Sequence, residues 1–284
     1  MYAIRADRPL NPDILAILAA LHAIAAKLGF SYFLVGAMAR DVLMTHVFGL
    51  EVQRATHDVD FAIALEDWPS FDTLKSELLA TGDFAPANGR QHLLYYKPQE
   101  FGKAYPLDLI PFGGVEHGSH EIAWPPDMDV VLNVTGYGEA LRSALQVNVG
   151  NGLVVPVISI PALAALKLLA WNERGLSDNK DAEDLFFLLS RYADAGNHDR
   201  LYDEAFAMLE ACGFDTGLAG ARLLGHDSRQ ILNEHSRQAI IDVLNDTTKR
   251  DRLIIHMLPN RLGSTAAAAL LLEQFDYGIN SPSS

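Results

Sequence analysis

Three short stretches carry residue types that could act together on a phosphate. In His57-Asp58-Val59-Asp60-Phe61 two carboxylates alternate with apolar residues, so on a strand both fall on one face, roughly 7 Å apart along the backbone. Asp108 stands inside the otherwise apolar Pro106-Leu107-Asp108-Leu109-Ile110. A buried charge without a partner costs several kcal/mol, so Asp108 belongs at a strand end in water or beside a shared cation. Val35-Gly36-Ala37 reads as a strand turning through glycine into a helix, an arrangement that aims backbone amides at an anion. Carboxylates that converge on hard cations, next to an anion-binding turn, suit phosphoryl or nucleotidyl transfer. Two metal ions held by three acids can clamp the attacking and leaving oxygens of an in-line displacement. Each stretch has a plainer reading alone: a solvated strand face, an edge residue, a tight corner.

The surrounding pattern supplies elements to position them. Asn11 to Leu28 is expected to be a helix, with Asn11 as cap and Pro12 in the first turn. A strand follows at Ser31–Val35, a helix at Ala37–Phe48, a polar connection over Gly49–His57, a strand at Asp58–Ala64 and a helix at Pro69–Ala80. From Phe84 to Val155 the signals are strand-like: Gln91–Tyr96 and Tyr105–Ile110 joined through the Pro98–Lys103 turn, a hairpin within Val115–Trp124, and strands at Val130–Val134, Leu145–Val149 and Val154–Ile158. Helices are then expected at Pro161–Asn172, Asn179–Tyr192, Asp199–Ala211, Thr216–Leu224, Ser228–Leu244 and Ser264–Phe275. The change of pattern sets an expected boundary near residue 158, with a 1–158 catalytic domain and a 159–284 helical domain. The fold class is α+β: a small mixed β-sheet with flanking helices, followed by an all-helical C-terminal domain.

Of the 284 residues 49% are apolar and 20% charged, and the net charge is −14. Such a surface repels phosphate backbones on average and speaks against long nucleic acid as a partner. The single cysteine, Cys212, excludes an intramolecular disulfide and a cysteine zinc cage. The N-terminal residues lack a signal-type apolar run, and no stretch reaches the roughly 20 apolar residues of a membrane span. The expected location is the cytoplasm, without membrane contact.

Gly36, Asp58-x-Asp60 and Asp108 together resemble the DNA polymerase β-like nucleotidyltransferase superfamily, with its glycine turn, hDhDh strand and later strand acid. Phe33 to Leu43, with Arg40 and Asp41, resembles the V-G-G-x-V-R-D-x-L segment of CCA-adding enzymes and poly(A) polymerases. Ile160-Pro-Ala-Leu-Ala-Ala-Leu-Lys167 through Arg174, followed by Asn179-Lys180-Asp181-Ala-Glu-Asp184-Leu, is similar to the K-L-x-A-x-x-x-R … K-D-x-x-D-L segment of AbiEii-type toxins.

That resemblance implies an enzyme that moves NMP from an NTP to an acceptor hydroxyl and releases pyrophosphate. Two Mg²⁺ ions would sit on Asp58, Asp60 and Asp108, and Gly36, Ala37 and Arg40 would lie near the phosphates. Lys167 would reach the triphosphate, and Lys180 and Asp181 would line the nucleotide cleft. The implied partners are an NTP, an acceptor (a tRNA 3′ end, a protein or a small molecule) and a cognate antitoxin. Ala37 departs from the family's Gly or Ser and leaves a backbone amide alone to hold phosphate.

Alternatives stand beside several of these residues. Lys167 can instead snorkel from a core helix to water. Lys180, Asp181 and Asp184 can form a solvated, ion-paired face, and Arg40 with Asp41 an exposed pair. Arg54 and His57 read best as loop residues, and His117 with His120 lacks a third metal ligand. Rival functions are an aminoglycoside-type nucleotidyltransferase and a catalytically silent nucleotide-binding module.

Overall fold

The computed structural model describes residues 1–52, 56–98, 103–118, 120–126, 128–258 and 264–281. Arg54 and the middle of the expected Pro98–Lys103 turn lie outside them. The chain divides into two compact units, Met1–Ile158 and Ser159–Ser284.

The first unit is built on a mixed sheet of eight strands. In chain order these are β1 (Tyr2–Ala3), β2 (Ser31–Val35), β3 (Val59–Leu65), β4 (Phe84–Ala87), β5 (Arg90–Tyr96), β6 (Tyr105–Gly113), β9 (Leu145–Asn148) and β10 (Val154–Val157); β7 (Glu121–Ala123) and β8 (Val131–Asn133) form a separate ribbon. The spatial order is β1-β9-β10-β2-β3-β6-β5-β4. β3 therefore lies inside the sheet, antiparallel to β2 and parallel to β6. Its alternation places Val59, Phe61, Ile63 and Leu65 in the core and leaves Asp60 half-buried on the other face.

Helices α1 (Pro12–Leu28), α2 (Gly36–Asp41), α3 (Trp68–Ala80) and α4 (Tyr137–Arg142) complete the unit. Asn11 caps α1 by accepting from the Asp13 amide, and Asp67 caps α3 by accepting from that of Ser70. The expected Ala37–Phe48 helix is α2 running into a wider π-type stretch at Val42–Val47.

Two strands were not expected. β1 is two residues long, too short to show a period, and β4 carries Pro86, which an edge position tolerates because no neighbour needs its amide. Within Val115–Trp124 the expected hairpin is a single antiparallel bridge, His117 with Glu121, and β7 pairs further with β8 beyond Pro125 and Pro126.

The second unit is helical: α5 (Ile160–Arg174), α6 (Lys180–Arg191), α7 (His198–Tyr202), α8 (Phe206–Ala211), α9 (Thr216–Ile231), α10 (Glu234–Asn245), α11 (Thr247–His256) and α12 (Thr265–Asn280). α9 and α12 pack backbone to backbone. A Cβ on Gly225 would lie 2.1 Å from the Phe275 carbonyl oxygen, and one on Gly278 2.1 Å from that of Arg222.

The expected Asp199–Ala211 helix breaks between α7 and α8, and the expected Ser228–Leu244 helix breaks where Asn233 caps α10 through the Ser236 amide. α11 was not expected; Asp246 caps it by accepting from the Lys249 amide. No described helix is long and apolar enough to cross a membrane.

Candidate active site

β3 and β6 bring two of the three expected acids side by side. In their parallel register Asp60 is paired with Asp108, so both side chains leave the same face of neighbouring strands, which run about 4.8 Å apart. Asp58, just before β3, shares that face by alternation and is exposed.

Its charge reaches Asp108. Burial raises the Asp108 carboxyl above the usual carboxylate range; nearby His92 opposes the shift and Asp58 adds to it.

Gly36 closes the group from the β2 side. Val35 pairs with Asp60, and Gly36 has φ +73°, a conformation that favours glycine. A Cβ at Gly36 would stand 2.0 Å from Asp60 Oδ2 and 2.8 Å from its carboxyl carbon. The Asp60 carboxylate thus occupies the space that a side chain at position 36 would need. Ala37 follows in the first turn of α2.

The fit to divalent metal can be judged from the donors. Asp58, Asp60 and Asp108 offer only hard oxygen atoms, the set Mg²⁺ takes, and strand register brings Asp60 and Asp108 together. Among the described residues no three His, Cys, Asp or Glu side chains are already closed into a metal-holding cluster. The residues fit the ion by type and register.

Arg40 and Asp41 are not an exposed pair. Both are buried; Arg40 Nη2 and Nε lie 2.6 and 2.8 Å from Asp41 Oδ1. The Thr56 amide donates to the other Asp41 oxygen at 3.3 Å. This ties α2 to the approach to Asp58. His57 is exposed, with its ring centroid 6.0 Å from that of Tyr105. His120 bonds Glu116 at 2.8 Å.

The second-unit residues form a group of their own. Lys167 on α5 is only 7% exposed. Its Nζ lies 3.0 Å from Asp181 Oδ1 and 2.6 Å from Asp184 Oδ2, both on α6, while Arg174 Nε donates to Asp181 Oδ2 at 2.6 Å. This is a third arrangement beside the two the sequence leaves open, an ammonium shared between buried carboxylates.

Burial pushes Lys167 down, but Asp184 and Asp181 raise it above the ordinary lysine value overall. Burial likewise pushes Asp181 up, and Lys167 and Arg174 reverse this and hold it below the usual range. Asp181 and Asp184 are therefore not solvated. Lys180 is exposed and paired with Asp178 at 3.2 Å.

Sequence reading missed His92. Its Nε2 is 3.8 Å from Asp108 Oδ1, and burial holds its imidazole below the ordinary value, opposed in part by Asp108. The available signal was a histidine at the start of a strand expected beside the Asp108 strand.

A paired-acid strand face closed by a glycine turn, on a mixed sheet followed by a helical unit, is the arrangement the sequence resemblance to nucleotidyltransferases leads one to expect. The pattern of the family described as "Nucleotidyl transferase AbiEii toxin, Type IV TA system" matches residues 18–257, and the chain belongs to that family. No curated protein sequence is significantly similar to the chain.

Among solved structures, it is similar to an antigenic nucleotidyltransferase-like protein from Paracoccidioides brasiliensis: 20% identity, 72% of this chain and 93% of that one, TM-score 0.44. The antibiotic-resistance factor ANT(2″)-Ia matches at 15% identity over 72% of this chain and 98% of that one, TM-score 0.38. The Thermotoga maritima CCA-adding enzyme, solved with tRNA, matches at 12% identity over 97% and 81%, TM-score 0.28. At these TM-scores the likenesses say nothing about substrate.

Proposed function

We propose that the protein transfers a nucleoside monophosphate from an NTP to an acceptor hydroxyl and releases pyrophosphate, with Met1–Ile158 as the catalytic unit. The observation that carries this reading is the Asp60–Asp108 pairing across β3 and β6 with the Gly36 turn against Asp60.

Asp58, Asp60 and Asp108 are the residues that would hold Mg²⁺, two ions in this reading. Bound there, the ions would neutralise charge on the attacking and leaving oxygens. Asp108 would complete that metal-holding site and so favour loss of the proton of the acceptor hydroxyl. The Gly36–Ala37 backbone supplies amides to the leaving phosphates, and buried Arg40, oriented by Asp41, adds positive charge behind that turn.

In this reading the protein is a cytoplasmic toxin, restrained by an antitoxin, and its acceptor is a tRNA 3′ end, a protein or a small molecule. The family description supports the toxin role.

The test is pyrophosphate release and transfer of α-labelled NTP, with and without Mg²⁺, onto total tRNA, a soluble protein extract or an aminoglycoside. Label on one of the first two supports the toxin reading, and label on the drug supports a resistance enzyme. Asp60→Asn should lose at least about a thousandfold in turnover, because a neutral amide replaces a metal-holding carboxylate. Its melting temperature should hold or rise as repulsion among the acids falls. An Asp60→Asn enzyme with wild-type turnover would refute the assignment.

A further inference from the structure

Asp108 has one protein side chain within ion-pair distance among the described residues, and that side chain is itself held in place. His92 Nε2 stands 3.8 Å from Asp108 Oδ1, ion-pair range but longer than a hydrogen bond. The imidazole ring lies against Trp124, with centroids 5.2 Å apart and planes tilted by 45°. Trp124 is in turn wedged between Trp68, at 5.2 Å, and Phe71, at 5.3 Å, both on α3. Phe71 and Trp124 are buried.

Flanking bonds fix the same corner. The Gln91 side-chain amide donates to the Pro125 carbonyl, and Lys75 Nζ on α3 donates to the Gln91 carbonyl at 2.9 Å. His92 thus rests against one ring, Trp124, which Trp68 and Phe71 hold in turn, and its Nε2 lies near the Asp108 carboxylate. An imidazole serving only to fill the aromatic cluster could be replaced by any ring of similar size.

We propose that His92 is a positioning residue: braced by Trp124, it holds the Asp108 carboxylate in the rotamer from which it completes the metal-holding face of β3 and β6. This rests on the nucleotidyltransferase reading of the three acids. Outer-shell partners of metal-holding carboxylates have a characteristic effect: losing one costs 10- to 100-fold in metal affinity or activity.

The decisive variants are His92→Phe, which keeps a ring against Trp124 and removes the polar edge, and His92→Gln, which keeps a donor of similar reach. Each is measured for Mn²⁺ affinity by electron paramagnetic resonance, for kcat and NTP KM by pyrophosphate release, and for melting temperature. The expectation is that His92→Phe loses roughly 10- to 100-fold in Mn²⁺ affinity and in kcat. NTP KM should be nearly unchanged and melting within a few degrees of wild type. His92→Gln should recover most of the loss.

Wild-type Mn²⁺ affinity and kcat in His92→Phe would overturn the proposal. So would equal losses in both variants with lowered melting, which mark a packing role, and so would a change confined to KM. If the wild-type protein releases pyrophosphate from none of the four NTPs, the transferase reading falls. The Mn²⁺ affinities of the two variants then decide the role of His92 by themselves, and absence of Mn²⁺ binding to the wild type overturns both.

Discussion

Gly36→Ala tests the closest contact in the site. The new methyl carbon would start 2.0 Å from Asp60 Oδ2, whereas ordinary contact begins near 3.4 Å. Relief therefore needs a displacement of more than about 1 Å, and the carboxylate is the softer of the two partners. A misplacement of about 1 Å in a reacting group costs about a hundredfold in rate, so kcat should fall by about that factor or more.

Stability should drop as well. The residue sits at φ +73°, where an alanine costs roughly 1–2 kcal/mol, and the clash adds to this. Asp60→Ala separates the two terms. With the carboxyl group gone, the nearest remaining Asp60 atom is Cβ at 3.2 Å, a contact that a few tenths of an ångström relieves. Gly36→Ala should then cost only the backbone term, so the double variant is more stable than the sum of the single changes predicts.

Steady-state kinetics and urea melts of the four proteins decide the matter. Wild-type kcat in Gly36→Ala, or strict additivity with Asp60→Ala, would show that the glycine does not set the position of this acid.

Two further outcomes concern the buried ion pairs of the second unit. Lys167→Ala should cost about 3–5 kcal/mol in a denaturant melt, because it leaves Asp181 and Asp184 buried without their shared cation; NTP affinity measured on the folded fraction shows whether the ammonium also serves the nucleotide. On acidification, Asp181 should contribute stability at every pH above the ordinary aspartate value of about 4 and lose it as pH falls through its depressed pKa. The acid limb of the melting profile should therefore be shallower in Asp181→Asn, and identical limbs would count against the pairing.

Parts of this architecture are written plainly in the chain and parts are not. The strict alternation from Asp58 to Ala64 is enough to make β3 a strand with its acids on one face, because a period of two leaves no other regular choice. The Asn11–Pro12 start of α1 and its apolar face are legible for the same local reason. Long-range pairing is different. Nothing local tells Asp108 that Asp60 is its partner, or His92 that Asp108 lies within 3.8 Å; sheet order decides both.

The helix breaks were missed for another reason. A hydrophobic period runs on through Leu232, while the side chain of Asn233 starts a new helix by capturing the Ser236 amide. Capping competes with propagation at a single residue, and periodicity over a window averages that residue away.

The Lys167 group shows how one charged motif admits two physical readings until its surroundings are known. The same lysine on an apolar helix face is a candidate phosphate ligand if its head stays in water, and a fastener if carboxylates meet it inside. Here two positive side chains, Lys167 and Arg174, meet two negative ones, Asp181 and Asp184, across α5 and α6, so the cluster is neutral and each buried charge has an opposite neighbour. Desolvation consumes most of the Coulombic gain of such a cluster, so it adds little net stability. What it can add is register. Sliding α6 by one turn along α5 would bury the carboxylates without the ammonium, at a cost of several kcal/mol, whereas apolar contacts alone would tolerate the slip. A Lys167→Met, Asp181→Leu, Asp184→Leu triple variant, which leaves no buried polar group at these positions, should therefore melt close to the wild type while Lys167→Ala alone does not. That contrast follows from the pairing of charges across these two helices.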